Sequence, residues 1–149
     1  MATIRLPPDF KEFLQLLNSG KIEYLLVGGH AVGYYGYPRS TGEMDIWVAV
    51  NPKNSAALVG VLRDFGFSRH SVSEALFLTE NKVARMGVAP LRIDLLTSVS
   101  GLQFAECYLR RTVDTIDGVE VNVIALDDLK ANKRSLGRSK DMDDLEHLA

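Results

Sequence analysis

The segment VGGHAVGYYGYPRSTGEMDIWV, from Val27 to Val48, constrains this chain more than any other stretch of it. The pair Gly28-Gly29 ends one apolar run, Tyr24-Leu25-Leu26-Val27, and after thirteen intervening residues Glu43 opens a second, Met44-Asp45-Ile46-Trp47-Val48-Ala49-Val50. Read as a strand, the second run places residues two apart on one face, so Glu43 and Asp45 project together. Side-by-side carboxylates repel unless a cation lies between them, and hard oxygen ligands suit Mg²⁺ or Mn²⁺. A metal site is the first expectation.

Asp94 lies inside a further predicted strand, where an acid is costly unless solvated or liganded. Glu43, Asp45 and Asp94 together could share two Mg²⁺ ions about 4 Å apart, the arrangement that stabilises attacking and leaving oxygens in an in-line displacement. That chemistry is phosphoryl or nucleotidyl transfer. Gly28 and Gly29 at a strand-to-helix turn add a place where backbone N–H groups approach phosphate oxygens. A nucleoside triphosphate and its metals would be held together. Taken alone, a Gly-Gly pair is more often a plain turn, the acid pair a solvated strand end, and Asp94 a surface strand residue partnered by Arg92.

These residues resemble the signature of the DNA polymerase β-like nucleotidyltransferases: an apolar residue with Gly-Gly or Gly-Ser, a spacer of about a dozen residues, then two acids alternating with apolar residues. Val27-Gly28-Gly29 and Glu43-Met44-Asp45-Ile46 carry the match. The resemblance implies a nucleotidyltransferase fold of α+β class, a mixed β-sheet with helices packed on it and a helical C-terminal tail. It assigns Glu43, Asp45 and Asp94 as metal ligands, with Asp94 also helping to activate the attacking hydroxyl. Tyr37-Pro38-Arg39-Ser40-Thr41, Lys133-Arg134 and Arg138-Ser139-Lys140-Asp141 extend it to small bacterial and archaeal nucleotidyltransferase-like proteins related to abortive-infection and toxin–antitoxin toxins. The similarity covers roughly residues 20–149.

At 149 residues the chain is expected to form one domain over residues 1–149, with an N-terminal helix within 1–20 and C-terminal helices over 126–149. Pro7-Pro8 and Ser19-Gly20 bracket a helix over about 9–18, a strand follows at 23–28, and the glycine turn leads into a short helix ended by Gly36 and Pro38. Ser55 to Phe65 reads as an amphipathic helix. Residues 75–78, 83–88 and 91–96 read as strands, 101–110 as a helix, and Asp117-Gly118 joins two runs into a hairpin. Ala125-Leu126-Asp127-Asp128 marks the N-cap region of a helix to about Leu136, and Ser139 is a candidate cap for another.

Lys130, Lys133, Arg134, Arg138 and Lys140 fall within eleven residues that hold no acid. Lys133 and Arg138, with Arg39 and Thr41 just before the paired acids, are candidate nucleotide-phosphate contacts. An exposed helix face is an equally good reading of this patch, and Asp141 and Asp144 are placed to orient its basic side chains. His30 is read as phosphate contact or as packing on Tyr34. His70 and His147 lack partners at ligand spacing, and Tyr34, Tyr35, Tyr37 and Trp47 read as core or pocket wall.

The net charge of −2 gives no global attraction to polyanions. Cys107 stands alone, which excludes a disulfide framework or multi-cysteine zinc site and fits a reducing, cytoplasmic location. No apolar run approaches the ~20 residues of a membrane span. The expectation is Mg²⁺-dependent transfer of a nucleoside monophosphate from an NTP to a hydroxyl of RNA, protein or a small molecule such as an aminoglycoside. The alternative is a catalytically inactive binding module or toxin–antitoxin component with an antitoxin partner, and a homodimer is a further expectation. A metal-dependent phosphoesterase ranks last, because no histidine lies close to the acids.

Overall fold

The computed structural model describes residues 4–38, 42–66, 73–88 and 91–148. Thirteen elements follow in chain order: α1 (Pro8–Ser19), β1 (Tyr24–Val27), α2 (Gly28–Tyr34), β2 (Glu43–Val48), α3 (Pro52–Asp64), a 3₁₀ turn (Glu74–Leu78), β3 (Val83–Val88), β4 (Leu91–Leu96), α4 (Phe104–Leu109), β5 (Thr112–Ile116), β6 (Val119–Val123), α5 (Leu126–Leu136) and α6 (Ser139–His147). The strands form one six-stranded mixed sheet in the order β3-β4-β2-β1-β6-β5. The fold class is α+β, as expected.

Strand β1 is central and buried throughout, which its uninterrupted Tyr-Leu-Leu-Val permits because both faces are covered. It runs antiparallel to β2 and parallel to β6, while β2 runs parallel to β4 and β4 antiparallel to β3. The Asp117-Gly118 hairpin between β5 and β6 has both turn residues at positive φ, 49° and 81°, as a two-residue turn of that twist requires. Phe10, Phe13, Leu14 and Leu17 form the buried face of α1, and Leu58, Val61 and Leu62 that of α3. They join β1 and β2 side chains in one core that includes fully buried Tyr24 and Trp47.

The secondary structure departs from the sequence reading at four places, one of them α4, which starts at Phe104 and not at Gly101. Residues 75–78 are not a strand: Glu74–Leu78 winds as a 3₁₀ turn, held by Leu76 N donating to Ser73 O and Ser55 Oγ donating to Glu74 O. Helix α3 starts at Pro52, three residues ahead of Ser55, because the Asn51 side chain accepts from Asn54 N. Arg138, not Ser139, is the N-cap of α6, and Asp141 accepts from the Arg138 backbone N–H. Among the described residues no helix is long and apolar enough to cross a membrane.

Candidate active site

Strand register brings the acids together. Asp45 of β2 lies opposite Asp94 of β4 and also opposite Val27, the last residue of β1. Glu43 shares the Asp45 face by strand alternation. One carboxylate oxygen from each of Glu43, Asp45 and Asp94 lies within 4.8 Å of the others, with Glu43 exposed, Asp45 half-buried and Asp94 5% exposed. Three converging oxygens at the mouth of a sheet can hold a divalent cation.

The electrostatics state the same need. The Asp45 carboxyl is pushed up to about 6, first by burial, then by the charges of Asp94 and Glu43, against an opposing pull from Lys133 and Lys140. The Asp94 carboxyl is likewise raised by burial and by Glu43, and Arg85 and Arg92 draw it back. Its Oδ1 is buried with no hydrogen-bond partner among the described residues. Such an orphaned anionic oxygen is expensive in protein and cheap beside a metal. The donor set therefore fits Mg²⁺ or Mn²⁺.

Gly28 explains why glycine precedes the acids. Its φ is +65°, and a Cβ there would lie 3.0 Å from Asp45 Cβ and Cγ. The backbone of the β1–α2 turn thus passes directly against the carboxylate, and no other residue type permits that approach. Gly28→Ala is expected to cost about 1–3 kcal/mol through the left-handed conformation, and to push Asp45 out of register with Asp94. Thermal unfolding together with nucleotide titration checks both effects.

The remaining predicted residues divide. Arg39, Thr41 and His70 lie outside the described residues. The ion pair to Asp94 comes from Arg85 Nε of β3, at 3.7 Å, and not from Arg92, whose register partner is Glu43. The β3–β4 pairing sets Arg85 opposite Asp94, a register that the short spacing between the two runs already implied. Lys133 is not on an exposed face: at 4% exposure its Nζ lies 3.3 Å from Asp141 Oδ1 and 2.9 Å from Asp144 Oδ2. Arg138 Nε joins Asp141 Oδ2 at 2.6 Å. Asp141 and Asp144 orient these basic side chains, and Lys133 still acts on Asp45 through space.

The tyrosines anchor α2 and the chain after it. The Tyr34 hydroxyl donates to Asp114 Oδ2, the Tyr35 hydroxyl to Ile124 O, and the Tyr37 hydroxyl to Asp143 Oδ2. Tyr37 also stacks on His147 at 3.9 Å, so that histidine has a structural partner the sequence did not show. His30 packs edge-on to Phe10 at 5.4 Å instead of on Tyr34, and burial lowers its imidazole pKa.

The family model "Nucleotidyl transferase of unknown function (DUF2204)" matches residues 8–149. The chain belongs to this family. Two solved structures share the fold of this nucleotidyl transferase. A presumed nucleotidyltransferase from Thermotoga maritima is 10% identical with a TM-score of 0.63, covering 92% of this chain and 88% of its own. An antigenic nucleotidyltransferase-like protein from Paracoccidioides brasiliensis is 17% identical with a TM-score of 0.56, covering 93% and 73%. A search of curated protein sequences gave no match.

Proposed function

We propose that this nucleotidyl transferase moves a nucleoside monophosphate from an NTP to an acceptor hydroxyl, with Mg²⁺ or Mn²⁺ held by Glu43, Asp45 and Asp94. The observation that carries the reading is the convergence of three carboxylate oxygens within 4.8 Å beside a glycine turn that has no room for a side chain. A bound divalent cation would supply charge neutralisation to the triphosphate.

The chain's own groups do the rest. Backbone N–H groups of Gly28 and Gly29 face the triphosphate, and Arg39 and Thr41, next to the acids in sequence, are further phosphate contacts. Lys133, Arg138 and Lys140 direct positive potential at the acids from α5 and α6. Asp94 receives the proton of the acceptor hydroxyl as its oxygen bonds to the α-phosphorus, and the bond from that phosphorus to pyrophosphate breaks.

Calorimetric titration of ATP, CTP, GTP and UTP into the purified protein, with and without Mg²⁺, tests the reading. Binding of at least one nucleotide only with the metal is the expected result. Absence of binding by all four would leave a nucleotidyltransferase-fold module without the chemistry.

A further inference from the structure

A groove of about 950 Å³ opens on the face that carries the acids, toward the other end of β2. Trp47 in its wall is two residues beyond Asp45, and Val83 lies opposite Leu96, which is two beyond Asp94. Strand alternation puts all of them on one face. The volume lies within the ~300–1,000 Å³ of small-molecule sites.

An exposed strip joins groove and acids. Val83 lines the groove at 51% exposure, and Arg85, next on the same face of β3, makes the ion pair to Asp94. Two residues along a strand span roughly 6.6 Å, so a ligand one or two rings long bridges them.

The lining describes the ligand. Phe104, half-buried, stacks on Tyr108 at 5.4 Å and is backed edge-on at 5.2 Å by the buried Trp47, so its exposed part offers an aromatic surface suited to the C–H face of a saturated ring. Around it Gln103, Asn81 and Ser98 offer amide and hydroxyl groups for hydroxyl recognition. Among the described lining residues two carboxylates, Glu23 and Glu80, stand against one cation, Lys82, an unfavourable lining for a phosphate backbone.

Resting on the nucleotidyl-transfer reading above, we propose that this groove is the acceptor subsite and takes a neutral polyhydroxylated small molecule, a sugar or cyclitol. One of its hydroxyl oxygens bonds to the α-phosphorus of the NTP. Pyrophosphate leaves, the hydroxyl proton passes to Asp94 and then to solvent, and the product is a phosphodiester of the sugar and the nucleoside.

The test offers α-phosphate-labelled NTP and Mg²⁺ to the full chain with two probes, a mixture of neutral mono- and disaccharides with inositol, and a mixed-sequence single-stranded RNA. Label in the sugar fraction is expected. Trp47 is the chain's sole tryptophan, so the sugars should also shift its emission. Ala105→Phe, at an exposed α4 position on the groove, should raise the apparent KM for sugar on the order of tenfold and leave nucleotide affinity unchanged. Label in RNA, label in neither probe with no emission change, or sugar transfer indifferent to Ala105→Phe overturns the groove assignment while nucleotide binding persists. Loss of metal-dependent nucleotide binding itself overturns the parent reading, and this one with it.

Discussion

Asp45→Asn is expected to abolish metal-dependent nucleotide binding, to reduce transfer by at least about 10²-fold, and to stabilise the metal-free protein by about 1–2 kcal/mol. The opposite signs have one origin. Asp45 is half-buried beside two other acids, and its carboxyl is pushed up to about 6 because folding disfavours the ionised form. Asparagine keeps the shape and removes the charge, so the repulsion from Asp94 and Glu43 disappears together with a ligand oxygen. An acid present for structure would behave otherwise, since its removal would lower stability. Urea unfolding in chelator, paired with calorimetry in Mg²⁺, reads both signs on one variant. A fall in stability would mean that Asp45 has a structural partner the account has missed.

Lys133→Met should be the most destabilising substitution in the C-terminal helices, by about 3–5 kcal/mol. Its ammonium is enclosed with Asp141 and Asp144, both fully buried, and methionine would remove the cation that the two carboxylates share, while Asp141 keeps its ion pair with Arg138. Breaking one partner of a buried pair costs more than the pair is worth, because the survivor stays charged and desolvated. Adding Asp144→Asn to Lys133→Met should therefore recover part of the loss. Denaturant midpoints of the two variants check this, and a double variant no more stable than the single one would contradict it. Lys133 also opposes the charge of Asp45, so its loss weakens the site as well as the fold.

How much of this was legible in the sequence depends on the range of the interaction. The acids of β2 and the glycine turn were readable because a strand's alternation and a glycine's φ are local, and Asp94 stood out as an acid inside an apolar run. The pairing of Asp45 with Asp94 is a parallel register between strands separated by α3 and β3, and no local pattern encodes it. Residues 75–78 carry Leu-Phe-Leu, a plausible strand, yet Phe77 is the one side chain of that turn that is buried, and a local bond to Ser73 together with one from Ser55, 19 residues away, sets the conformation instead. Lys133 looked like part of a cationic surface because the acids that bury it sit 8 and 11 residues later. Gly137, in the left-handed conformation with φ 66°, turns α6 back onto α5 and brings them into contact. The candidate groove is built from the ends of β2 and β4 and from α4, segments without a shared motif, so its aromatic wall was visible only as scattered core residues.

The most direct test of the central claim is a Mn²⁺ titration followed by electron paramagnetic resonance, on the wild-type chain and on Asp94→Asn, in the presence of the nucleotide that calorimetry identifies. Asp94 supplies the buried oxygen that lacks any hydrogen-bond partner among the described residues, so it is the ligand the site most needs satisfied. The wild type is expected to remove the free-ion signal with a saturable site and the variant to weaken this at least about tenfold, while its unfolding midpoint does not fall. Equal Mn²⁺ binding by the two proteins would contradict that expectation, and the three acids would then be a repulsive cluster with no part in holding a metal.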